Sequence, residues 1–243
     1  MLCRLRSRQH GFTLVELSVA LLIGLFLLGG LLTLVQDMRR TFGNQNQLAQ
    51  LQDNERLAMT LITDVIQGAG YFPNPTFYTI SSALPAGGVF TQSGQAIAGT
   101  HNAAAPGDSI YVQFLTASND GMINCTGGTN TTGGVKAYIN QFSVNASKQL
   151  LCTLNNQAPV VLITGVTNLQ ILYGVNGTGT TSNVDRFLTA TQMTGADWTH
   201  VICVKVTLTF DNSVLAKSQP GQPLTIPFTR VITVMSQGGV NTI

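Results

Sequence analysis

Charge is what this chain has least of. Acidic and basic side chains make up 9% of its 243 residues, against about 25% in an average soluble domain. Histidine is scarce too, with three in all. His101 reads as a loop residue and His200 as the start of a strand, and neither has a partner at metal-binding spacing. The four cysteines form no Cys-x-x-Cys, which leaves zinc and dithiol redox chemistry little to stand on. No glycine-rich stretch ends in the Lys-Ser or Lys-Thr of a phosphate-cradling loop. Polarity comes instead from Thr, Asn, Gln, Ser and 25 glycines, the composition of an exported, β-rich surface protein. No cofactor is expected.

What the chain has is one uncharged apolar run, Leu17 to Val35. As a helix rising 1.5 Å per residue it spans about 28 Å, enough to cross a hydrocarbon core of about 30 Å once. A secretory signal peptide has a shorter apolar region, followed by small residues at a cleavage site. Here the run is followed by Gln36-Asp37-Met38-Arg39-Arg40-Thr41-Phe42. An ordinary anchor fits the length but leaves Glu16 unexplained. A carboxylate at the edge of hydrocarbon is costly, and such a residue usually has a partner and a function.

The order basic peptide, Gly11-Phe12-Thr13-Leu14-Val15-Glu16 and long apolar helix resembles the amino terminus of type IV prepilins. The resemblance implies a prepilin peptidase that cuts between Gly11 and Phe12 and methylates the new amine. It makes Glu16 the residue that directs assembly, paired with an amine of its own or a neighbouring subunit. It also implies a leader over 1–11, a transmembrane and assembly segment over 12–36, an amphipathic continuation over 37–72, and a head over 73–243. Removing Arg4, Arg6 and Arg8 would leave nine basic against ten acidic residues, so the basic balance gives no support to nucleic-acid binding by the remainder. The leader arginines favour a cytoplasmic amino terminus. The head is therefore expected in the periplasm of a bacterium, anchored once in the inner membrane, and later on the cell surface. Disulfides persist there.

Beyond the leader, Cys125, Cys152 and Cys203 allow three pairings. Cys125 to Cys152 is the favoured one. It links a glycine-rich loop to the strand-like Gln149–Leu154 and closes a loop worth about 3–3.5 kcal/mol. Cys203 lies mid-strand, off the face carrying Val204, Val206, Leu208 and Phe210, and is expected to be free or covered by a loop.

Leu48, Leu51, Glu55, Ala58, Ile62, Val65 and Ala69, widened by Leu57, Leu61 and Ile66, keep helical spacing and predict an amphipathic helix laid on a sheet. Gly68 and Gly70 end it, and Pro73 and Pro75 prevent its resumption. Residues 36–47 read as a linker or as a solvated part of the same helix. Residues 73–108 read as loop. Strands are predicted over 109–115, 135–144, 149–154, 159–163, 168–175, 200–210 and 224–235, with Pro227 marking an edge or bulge. One long helix followed by an antiparallel sheet is an α+β pattern.

Gly165 to Gly174, Asp185-Arg186-Phe187-Leu188, Trp198 and Val204 to Leu208 resemble the PilW-like minor pilins, as do Leu51 to Arg56 and Gly68 to Tyr71. The likeness implies a type IV pilin-like fold and a part in priming pilus assembly near the filament tip. Partners would be other minor pilins, the major pilin, the inner-membrane assembly machinery and membrane lipid. Asn176 to Asn183 lacks the carboxylates that many relatives carry, so no calcium is expected there. Two alternatives stay open: a minor pseudopilin of a type II secretion system, and a tip adhesin or DNA-binding subunit. Against DNA stands the dispersal of Lys136, Lys148, Lys205, Lys217 and Arg230.

Catalysis has one argument. Gly107-Asp108-Ser109-Ile110 resembles the nucleophile block of GDSL hydrolases, and Asp197-Trp198-Thr199-His200 has the spacing of their other two triad members. That fold needs alternating strands and helices behind the serine, and this region shows loops and strands. No enzymatic activity is expected.

Overall fold

The computed structural model describes residues 11–177, 183–218 and 221–238. Its first helix, α1, covers Leu14–Gln67, so residues 36–47 are helical. The chain divides within α1 into two compact units, Met1–Ala49 and Gln50–Ile243.

In the first unit the described residues from Leu14 onward are all helix, and the apolar run lies exposed along its length. Among the described residues α1 is the one helix long and apolar enough to cross a membrane. Its few hydroxyls fit that solvent. Ser18 Oγ donates to the Val15 carbonyl and Thr33 Oγ1 to that of Gly30, each at 2.8 Å. The helix backbone thus satisfies groups that would otherwise be orphaned in hydrocarbon.

In the second unit, α1 buries Ala58, Met59, Ile62, Val65 and Ile66. One expected member of its stripe differs. Leu57 is 51% exposed, while Met59 is buried in its stead. At about 100° per residue Leu57 falls outside the arc that 58, 62, 65 and 69 define.

The head holds two antiparallel sheets where a single one was expected. The first is a meander of β1 (Ile97–Thr100), β2 (Ser109–Thr116), β3 (Lys136–Val144), β4 (Gln149–Leu154) and β5 (Val160–Thr164), in that spatial order. The second has the order β7-β6-β8-β9, from β6 (Val166–Val175), β7 (Arg186–Leu188), β8 (Val201–Asp211) and β9 (Thr225–Thr233). Short helices α2 (Ile80–Ala83), α3 (Gly195–Trp198), α4 (Ser213–Ser218) and α5 (Met235–Gly238) lie between or after the strands. A single residue, Gly165, passes the chain from sheet to sheet. Its φ of +88° is one that side chains rarely adopt. Its N–H and that of Val166 both donate to the Lys148 carbonyl, and its own carbonyl accepts from Asp211.

The sheets are also joined at Asp108, which precedes β2. Its N–H donates to the Leu169 carbonyl at 2.7 Å, and Leu169 N–H donates to Pro106 at 3.1 Å. One carboxylate oxygen accepts from Ile171 N–H at 2.7 Å, and the other from Asn102 N–H at 2.9 Å and sits 2.8 Å from His101 Nδ1. Gly107 permits this approach. Its φ is +95°, and a Cβ there would run into the Leu169 carbonyl.

Among the described residues β9 pairs only with β8, which makes its far side a sheet edge there, as Pro227 suggested. At the ladder's ends Asn212 N–H donates to Leu224 and Val234 N–H to Ile202. Alternation from either end points the Pro227 nitrogen away from β8, where no ladder bond is lost. A proline so placed also blunts the edge against pairing with other chains.

Candidate functional site

The amino-terminal turn of α1 carries the residues singled out by the sequence. Gly11 and Phe12 precede the helix without secondary structure, and Phe12 is 82% exposed. Glu16 lies in the first helical turn. Its backbone N–H donates to Thr13 Oγ1 at 3.3 Å, while Thr13 N–H donates back to Glu16 Oε2 at 3.4 Å. The Thr13 hydroxyl lies 3.5 Å from the same oxygen. This reciprocal arrangement satisfies two donors that a helix start leaves open, and it sets a negative group at the positive end of the helix dipole.

Thr13 is the residue that motif reading passed over. The signal was available, because Thr-x-x-Glu before an apolar run is the spacing of a capping box. The bonds to Glu16 are at the long end of the hydrogen-bond range. A charged donor placed nearby would compete well for that carboxylate.

In the head, Cys125 and Cys152 are bonded, with their Cα atoms 5.9 Å apart. Cys203 is free and 5% exposed. Gly174 lies opposite it across the β6–β8 pair, and a Cβ on Gly174 would overlap the sulfur and crowd Phe187 and Val184. The missing side chain makes room for the thiol, and burial pushes its pKa up.

The hydrolase-like residues have other partners. Ser109 Oγ is 2.7 Å from Thr100 Oγ1. Asp197 caps α3 through Thr194 and receives Arg186 Nη2 at 2.9 Å. His200 Nδ1 is 2.8 Å from the Ala196 carbonyl. Ser109, Asp197 and His200 are therefore not joined in a relay of nucleophile, base and orienting acid. Among the described residues no cluster of His, Cys, Asp or Glu could hold a metal ion. The residues 178–182 of the loop expected to lack calcium lie outside the described ones.

Two family models match the chain. Residues 6–32 match the prokaryotic N-terminal methylation motif, and residues 128–237 match type IV pilus-assembly protein W. No curated protein and no solved structure matches. The first model covers the Gly11-to-Glu16 turn and much of the apolar run; the second covers β3 through β9. An exposed apolar helix headed by a capped carboxylate, followed by an antiparallel head, accounts for both matches, which together support a type IV minor pilin family.

Proposed function

We propose that this subunit helps initiate assembly of a type IV pilus and is incorporated near its tip. The observation that carries the reading is Glu16 in the first turn of α1, at the head of an uncharged run, within the methylation-motif match. Cleavage between Gly11 and Phe12 by a prepilin peptidase would free an amine four residues from Glu16 in sequence. An amine there can pair with the carboxylate at the edge of the hydrocarbon. A neighbouring subunit's amine can take the same place. Only one stagger of adjacent helices then leaves no charge unpaired in the apolar centre of the filament, so Glu16 selects the register. Its partners on this reading are the other minor pilins, the major pilin and the inner-membrane assembly machinery. Before extraction the chain is held once in the inner membrane with its head in the periplasm.

The test is Glu16→Ala in cells making the filament. The variant is expected to remain in the membrane, to begin at methylated Phe12 by mass spectrometry, and to be depleted from sheared filaments. Incorporation at the wild-type level would overturn the proposal.

A further inference from the structure

The first charges after the apolar run are Asp37, Arg39 and Arg40. All three are exposed on α1. The ion pairs of the described residues are His101–Asp108, Lys148–Asp211 and Arg186–Asp197, so neither arginine is neutralised by them. Positive charge on the outward side of a span opposes the orientation that the leader arginines favour. Two unpaired arginines there want a compensating role.

Their level along the helix supplies one. From Glu16 to Arg39 and Arg40 the helix rises about 35 Å. With Glu16 at one edge of a hydrocarbon core of about 30 Å, both guanidinium groups stand beyond the other edge, in the headgroup layer. Met38 and Phe42 flank them and are exposed, apolar side chains that can dip into the acyl boundary beside the charges. A planar guanidinium fork matches phosphate oxygens in a bidentate way.

We propose that Arg39 and Arg40 bind the phosphates of anionic phospholipid in the outward-facing leaflet, and so set the depth at which Glu16 meets the opposite interface. This rests on the membrane-span reading above. A subunit drawn from the bilayer into a filament must give up these contacts, which makes the pair a brake on extraction.

The experiment places the full chain in nanodiscs of equal phosphatidylcholine and phosphatidylglycerol and identifies retained lipids by native mass spectrometry. Arg4, Arg6 and Arg8 are replaced by glutamine throughout, so that the opposite leaflet contributes no binding. Retained lipid is expected to favour phosphatidylglycerol severalfold, to fall to parity in R39Q/R40Q, and to lose part of its preference in R39K/R40K, which keeps the charge but not the bidentate fork. An unchanged preference in R39Q/R40Q overturns the proposal. So does loss of self-association in that variant with lipid preference intact, which would assign the arginines to a neighbouring subunit. Carbonate extraction of every variant checks the span separately: release from the membrane would sink that reading and this one with it, whereas firm insertion without lipid preference sinks this one alone.

Discussion

Replacing Asp108 by alanine removes the side-chain part of the joint between the two sheets of the head and leaves its backbone hydrogen bonds, Asp108 N–H to Leu169 and Leu169 N–H to Pro106, in place. The carboxylate is 2% exposed and meets three donors: Ile171 N–H, Asn102 N–H and the His101 ring. Ile171 is itself buried, so its N–H would find neither water nor a new acceptor. An orphaned buried donor costs about 1–3 kcal/mol, and hydrogen bonds to a charged group are worth about 1.5–3 kcal/mol. These terms overlap, and about 3–4 kcal/mol is expected for Asp108→Ala. For a domain of this size each kcal/mol lowers Tm by about 2–4 °C, so the variant should melt roughly 10 °C early. Asp108→Asn keeps one acceptor oxygen. Its best orientation gives that oxygen to Ile171 and turns the amide toward Asn102, which is exposed and can bond to water instead. That variant should cost only about 1–2 kcal/mol. Calorimetry on residues 50–243 reads the melting points, and hydrogen exchange at the Ile171 amide reads the joint directly. Equal melting points for the two variants, or an alanine variant within about 2 °C of wild type, would refute the reasoning.

The disulfide and the capped carboxylates give two further expectations. Cys125 and Cys152 are 27 residues apart, so replacing both by serine should cost the head about 3.5 kcal/mol by loop entropy; a urea midpoint that does not move would contradict this. Among the described residues three carboxyl groups sit below the usual carboxylate range. In Asp197 the chief cause is the Thr194 hydroxyl, helped by Arg186, and in Asp211 it is the hydrogen bond from Lys148. In Asp120 burial pushes upward but is outweighed by donors from Thr116, Met122 and Ala117. A depressed folded-state value stabilises the fold above the unfolded value of about 4 and loses that contribution as pH falls through the folded value. Urea midpoints should therefore be level near neutrality and decline below about pH 4, with a shallower decline in Asp197→Asn. A flat profile down to the folded values would count against these assignments.

Local chemistry carried much of this protein in the order of its residues. An uncharged run of membrane length and one carboxylate at its head need no tertiary contact to be recognised, because a bilayer reads length and charge along a single helix. Apart from β7, the strands after residue 108 are legible in the sequence alone, and 149–154 has the bounds of β4. The favoured Cys125–Cys152 pair is the one that forms. Other features were decided only by folding. β1 and β7 hold four and three residues, too few for a period to register, and they are strands because a partner holds them. Nothing in Gly165 alone says that the chain changes sheets there. Asp108 stood in the sequence as part of a hydrolase-like block beside a suggestive serine, and it became a sheet joint because residue 171 comes to meet it. Cys203 stays free because Gly174 leaves room for a thiol and its neighbours close over it. Periodicity reports which face of an element is apolar; which element arrives to cover that face is settled by packing among residues far apart in the chain.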